Sequence, residues 1–180
     1  KVTLYLPKVE MGQGIHTALA QIAMEDLGAK WDDLTVKQSS TNQSLEDPMG
    51  TSASSSVSGL YTPLREASSL MREMLHQKGA EILNMPAEDL QVKDGALFSK
   101  ASQEQLITFG EISAQVAEWE FPKDVPPLKP REDFEFIGTS VDRVDIESKL
   151  LGTALFGFDV KLPNMAYGAI ARRPRLNAEI

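Results

Sequence analysis

The apolar positions of the first forty residues change period twice. Val2, Leu4 and Leu6 alternate with Thr3 and Tyr5, the spacing of a strand with one buried face. From Ile15 the interval lengthens. Ile15, Ala18, Leu19, Ile22 and Ala23 recur at helical spacing up to Leu27, and Gly28 stands where a helix-ending glycine is expected. Trp31-Asp32-Asp33-Leu34 turns the chain into a second strand, 34–39. Strand, helix, strand predicts a small α+β unit. The most regular stripe lies further on: Leu60, Leu64, Ala67, Met71, Met74, Leu75 and Ile82. It predicts a long helix over 60–83 with its methionines in the core. Pro63 suits a first turn, whereas a start near Ser56 would put it inside the helix as a kink. Residues 90–93, Asp94-Gly95 and 96–99 read as a hairpin. A short strand at 106–108 and a helix over 109–119 complete the pattern. The expected core is one sheet carrying both main helices on one face.

Two stretches lack this periodicity. Residues 39–58 are rich in Ser, Thr, Asn and Gly. That composition suits a flexible loop, but so long a loop is uncommon in a compact domain unless it is functional or disordered. Pro122, Pro126, Pro127 and Pro130 make residues 121–133 an extended linker and the best boundary, between 1–120 and 134–180. Beyond it, 154–160 and 165–172 read as strands joined by the turn Lys161-Leu162-Pro163-Asn164. Two strands bury too little by themselves. They are expected to pair with the core, with absent sequence, or with a second copy through exposed edges, which favours a homodimer.

Composition narrows the chemistry. The chain has 180 residues, 42% hydrophobic and 24% charged, enough for a real core. A formal net charge of -8 without a Lys/Arg block disfavours nucleic-acid binding. The absence of cysteine excludes disulfides, iron–sulfur ligation and cysteine nucleophiles in this chain. His16 and His76 are far apart with no acidic residue at ligand spacing, so no metal site is expected. No run approaches the roughly 18 apolar residues of a membrane span. No signal peptide is visible, and Lys1 opens directly into a strand pattern. Processing, truncation or excision from a longer chain is therefore expected.

The most informative stretch is Val9-Glu10-Met11-Gly12-Gln13-Gly14-Ile15-His16-Thr17. A strand, a glycine turn and a helix start offer bare backbone N–H groups to an anionic ligand. Gly12 and Gly14 allow close backbone approach, and Gln13 adds an amide that donates and accepts. Gly-x-Gly alone also fits an ordinary turn. The whole string resembles the molybdopterin-contacting segment of the xanthine dehydrogenase and aldehyde oxidase family. Two further segments match the same family in order. Ser40-Thr41-Asn42 with Thr51-Ser52-Ala53-Ser54-Ser55-Ser56-Val57 resembles its Thr- and Ser-rich cofactor loop. Gly138, Arg143, Asp145, Lys149, Gly152-Thr153-Ala154, Asp159, Leu162-Pro163, Tyr167-Gly168-Ala169 and Arg172 resemble the opening of its a/b hammerhead domain. In xanthine dehydrogenase proper the hammerhead comes first. Here it follows, as in the isoquinoline 1-oxidoreductase type.

The resemblance implies a piece of a molybdenum hydroxylase large subunit. Gly12, Gln13 and Gly14 would contact the pterin of molybdopterin cytosine dinucleotide. Thr51, Ser52, Ser54, Ser55 and Ser56 would line the dinucleotide. It implies a bacterial enzyme, periplasmic or cytoplasmic, that oxidises an aromatic N-heterocycle or an aldehyde and passes electrons to a separate [2Fe–2S] small subunit. The family's catalytic glutamate has no matching Gly-Glu-Pro context here, and its glutamine segment near the metal is absent too. The isolated chain is therefore expected to be inactive and to hold no cofactor. Relatives often carry Thr-Gly-Gly-Ser where this chain has Thr51-Ser52-Ala53-Ser54, which adds Cβ atoms where backbone approach is close. The alternatives are a free-standing small-ligand or nucleotide-binding module, or an interaction domain whose glycine turn is structural.

Overall fold

The structure is a computed structural model that describes residues 1–40 and 50–175. Thr41 and Asn42 lie outside the described residues. The chain divides into two compact units, Lys1–Ile146 and Glu147–Ile180.

The first unit opens with a strand, a helix and a strand: β1 (Val2–Leu6), α1 (Ile15–Leu27) and β2 (Leu34–Gln38). β1 and β2 run parallel, with Val2 opposite Leu34 and Leu6 opposite Gln38. A parallel pair needs a crossover, and α1 supplies it. α1 closes at Gly28, whose N–H reaches Met24 O at 3.2 Å. The long helix α2 runs Ser56–Leu83 and is followed by β3 (Leu90–Lys93), β4 (Ala96–Ser99), β5 (Gln105–Thr108) and α3 (Phe109–Gln115). The Asp94-Gly95 hairpin forms as expected, with Lys93 opposite Ala96. α3 begins with a capping box between Thr108 and Glu111. It stops at Gln115, short of the expected 119, because Val116 turns extended and packs on the core with Trp119.

The sheet differs from expectation. Among the described residues there are two small sheets, β1-β2 and β3-β4-β5, not one. Leu6, Ile15, Leu19 and Ile22 build one apolar cluster beside β1 and β2. Met24, Leu27, Leu75, Leu90, Leu97 and Ile112 build the other beside the antiparallel sheet. α2 also differs. It starts at Ser56, so Pro63 lies inside it and has no N–H for the carbonyl of Gly59. Its expected stripe is only partly buried: Leu75 is core, but Met71 is 54% exposed and Ile82 also faces solvent. Instead α2 buries Arg65, Ser68, Ser69, Gly79 and Ala80. A Cβ on Gly79 would fall inside Leu97 and Ile112, so the helix approaches β4 and α3 closely there.

Polar groups explain that buried face. Glu25 and Asp26, at the end of α1, are fully buried. Asp26 accepts from Arg65 Nε at 2.6 Å and from the backbone N–H of Lys129 at 2.7 Å. Glu25 accepts from Lys129 Nζ at 2.8 Å and from the N–H groups of Glu135, Phe136 and Ile137. Arg72 donates to Asp26 O and Pro127 O. Burial alone would raise the Glu25 carboxyl, but Lys129 and the three backbone donors outweigh it and hold the group below its usual value. The proline-rich stretch 121–133 is thus fastened to α1 and α2. Breaking such a buried pair from one side costs about 3–5 kcal/mol.

The second unit is different in kind. Among its described residues only the short helix α4 (Ile146–Leu150), which begins at the junction, and a turn at Gly157–Asp159 are regular. The expected turn at 161–164 is present, with Met165 N–H on Leu162 O. The expected strands at 154–160 and 165–172 are not formed. A strand is completed by a partner's backbone, and among the described residues none pairs with these. Leu155, Phe156, Phe158, Tyr167 and Ile170 are exposed.

Candidate functional site

The residues between β1 and α1 form a tight turn whose shape is set by glycine. Gly12 has φ +100° and Gly14 φ +82°, a region that side-chain-bearing residues seldom enter. Gly14 is the N-cap of α1 and has no side chain to cap the helix. The expected bare N–H groups are not bare. Glu10 turns back over them. Its Oε1 accepts from Gly12 N at 2.8 Å and Gly14 N at 3.0 Å, and its Oε2 from His16 N at 3.3 Å. Partial burial opposes ionisation of Glu10, but these donors and the Arg143 charge prevail and hold its carboxyl below the ordinary 4.5. A carboxylate at a helix N-terminus is also favoured by the helix dipole.

Gln13 is likewise engaged within the turn. Its Oε1 accepts from Met11 N at 2.6 Å and its Nε2 donates to Val9 O at 2.9 Å. Val9 N donates to Thr51 Oγ1 at 2.8 Å, and Lys8 Nζ donates to Gly50 O at 2.9 Å. These two bonds tie the second loop to the first across 42 residues of sequence. His16 Nε2 lies 2.9 Å from Lys8 O and 3.2 Å from Gln38 Oε1. Both are acceptors, which selects the ring with its proton on Nε2.

Between the two loops lies a cleft of about 410 Å³. Gln13, Gly14, Thr51, Ser52, Ser54 and Ser56 line it, with Met11, Ile15, Ala18 and Val57 as apolar wall. Of the eight residues singled out in the sequence, six therefore meet here, while Gly12 and Ser55 do not line the cleft. Ser55 is the N-cap of α2, but its hydroxyl donates to Ser52 O at 3.0 Å and caps nothing. The first turn of α2 carries no acidic residue. Ser56 is 8% exposed, and its hydroxyl has no hydrogen-bond partner among the described residues. The uncapped end of a 28-residue helix, with the hydroxyl of Ser56 beside it, thus borders the cleft. This donor set fits a phosphate-bearing group.

Ala53 (φ +52°) and Ser54 (φ +54°) are left-handed, whereas Ser52 is not. Of Ser52 and Ala53, the positions where the resemblance led to glycine being expected, only Ala53 falls where a Cβ is strained. Sequence reasoning missed the part played by Glu10. The available signal was an acid just before a helix whose own N-cap is glycine.

A profile of the molybdopterin cofactor-binding domain matches residues 1–158. The chain belongs to that family. It is 34% identical to one component of the nicotinate dehydrogenase of Pseudomonas putida, over 92% of this chain and 14% of that protein. It is 30% identical to the beta component of the isoquinoline 1-oxidoreductase of Brevundimonas diminuta, over 96% of this chain and 27% of that one. A membrane-bound aldehyde dehydrogenase of Gluconacetobacter polyoxogenes, named for pyrroloquinoline quinone, is also 30% identical, with 22% of its length covered. The chain thus spans about a quarter or less of these relatives. Among solved structures, quinoline 2-oxidoreductase from Pseudomonas putida 86 matches 63% of this chain and 14% of its own, with TM-score 0.50 and 28% identity. The family resemblance carried by Met11-Gly12-Gln13-Gly14 and its companion segments therefore stands.

Proposed function

We propose that this chain forms part of the molybdopterin cytosine dinucleotide site of a molybdenum hydroxylase large subunit. The observation that carries the reading is the cleft. It unites the glycine turn and the Ser/Thr loop, the two segments that the sequence marked out independently. The α2 end, with Thr51, Ser52, Ser54 and Ser56, would receive the phosphate-bearing part. Gly12, Gln13 and Gly14 would shape the opposite wall toward the pterin, and Ser55 would hold the loop through Ser52. When bound, the cofactor supplies the redox chemistry at molybdenum. The residues of this chain bind and orient it, and no catalytic base is assigned among them. The substrate would be an aromatic N-heterocycle or an aldehyde, with electrons leaving to a [2Fe–2S] small subunit. Residues 1–120 would belong to the cofactor-binding domain, and 134–180 would open an a/b hammerhead domain, with 121–133 joining them.

The test uses the intact large subunit. Gly12→Val and Ser56→Ala should each lower molybdenum and cytidine nucleotide content, measured by elemental analysis and by nucleotide release. Gln13→Ala should do so more weakly, because its amide acts through the turn. Full cofactor content and normal turnover in all three would overturn the assignment. Hydroxylation by the isolated chain would overturn the view that it is only part of the site.

A further inference from the structure

Arg143 lies 131 residues from the glycine turn in sequence and touches it directly. Its Nη1 donates to Gly12 O at 3.1 Å, and its Nη2 reaches Glu10 Oε1 at 3.3 Å. The other edge of the guanidinium is held by Asp145, Nε on Oδ1 at 2.9 Å and Nη2 on Oδ2 at 3.1 Å. The next residue is fixed as well, with Val144 N–H on Thr17 Oγ1 at 3.2 Å. A planar guanidinium suits this task because it can meet a carboxylate with two parallel bonds and still serve further acceptors. The arrangement is a relay. Asp145 orients Arg143, Arg143 braces Glu10 and the Gly12 carbonyl, and Glu10 gathers the N–H groups of Gly12, Gly14 and His16.

The turn needs such a brace. Both its glycines are left-handed, and neither has a contact within 4 Å of the position a Cβ would take. Packing therefore does not hold them. Polar bonds do, and Glu10 and Gln13 supply them from within the turn. From outside, Thr51 and Gly50 hold its first residues, and Arg143 reaches the glycines themselves. The Glu10 side chain is 13% exposed and that of Arg143 32%, so the pair is sheltered enough for a charge-assisted bond to count.

We propose that Arg143, oriented by Asp145, is a positioning residue that locks the Glu10-capped turn into the shape forming one wall of the cleft. The proposal rests on the cofactor reading only for what that wall serves.

Amide hydrogen exchange on the full chain tests the clamp without cofactor. Arg143→Ala should speed exchange at Gly12, Gly14 and His16 about tenfold, the effect of losing one charge-assisted hydrogen bond. Met24 and Leu27 in the same helix should be unchanged, which a general loss of stability would not allow. Asp145→Asn should give a smaller rise at the same three amides. Arg143→Lys, which keeps the charge, should restore part of the protection. In a Glu10→Gln background, Arg143→Ala should add little, because the two act in one relay. Unchanged exchange in Arg143→Ala, or a rise spread evenly over α1, would overturn the clamp. In the intact large subunit, Arg143→Ala should also lower molybdenum retention. Loosened amides with full retention would overturn the cofactor reading and leave the clamp standing.

Discussion

The two main helices begin at the same cleft in opposite states. At α1 the first N–H groups are taken by Glu10, a carboxylate of the chain itself, and Arg143 braces it. At α2 no side chain caps the helix, no acid sits in the first turn, and the hydroxyl of Ser56 lacks a partner among the described residues. Helix ends carry the same orphan donors everywhere, and proteins normally satisfy them. In the proposed site a closed end beside an open one would separate two tasks: α1 would provide a fixed wall, and α2 would keep donors for the phosphate-bearing group. Gly-x-Gly points to α1 as the anion site, and the proposed site moves that role to α2.

Removing the cap should produce the largest effect. Glu10→Ala leaves three N–H groups without their partner and takes from Arg143 one of its two carboxylates, and should cost about 2 kcal/mol in urea unfolding. Ser55→Ala at the other helix removes no cap bond and should cost less than about 0.5 kcal/mol. Equal losses at the two sites would erase the distinction.

Acid should act on the closed end next. The Glu10 carboxyl is held below 4.5 in the folded chain. Its contribution is therefore complete above the unfolded value and is lost as pH falls through the lower, folded one. Glu25 is shifted in the same direction and adds to the same limb. Urea midpoints should drop between about pH 5 and pH 3, and Glu10→Gln should flatten that drop in part. A Glu10→Gln profile parallel to that of the parent would show that the carboxylate is not the cap.

Backbone strain gives the smallest contrast. Ala53→Gly relieves a left-handed alanine but frees the unfolded chain, so it should stabilise by under about 1 kcal/mol. Gly12→Ala does the reverse in the first loop and should destabilise by about 1 kcal/mol. Thermal unfolding of both variants reads the two signs. A loss on Ala53→Gly would mean that the Ser/Thr loop needs its Cβ atoms.

The local patterns were legible wherever one residue's neighbours in sequence are also its neighbours in space. The periods of 2–6 and 15–27, the Asp94-Gly95 turn and the Gly28 stop depend on backbone geometry and nearby side chains, so the sequence alone determined β1, α1 and the hairpin. The glycine turn and the run of hydroxyls from Thr51 to Ser56 were legible too, but the N–H groups of the turn, expected to be bare, are covered by Glu10. That the two segments meet in one cleft is a product of the fold. Long-range charge was not legible. Nothing in the local pattern marks Glu25 and Asp26, which are fully buried because Arg65 and Lys129 come to them from 39 and 104 residues away. The stripe on α2 misled for the same reason, since Met71 gave way to Arg65 and Ser69 once those partners were present. The runs at 154–160 and 165–172 have strand composition but no paired backbone among the described residues, and composition cannot supply one. Which helix end closes was also a tertiary decision. Glu10 can reach its own helix by sequence, but the brace that fixes it there arrives from Arg143, and only the folded chain brings the two together.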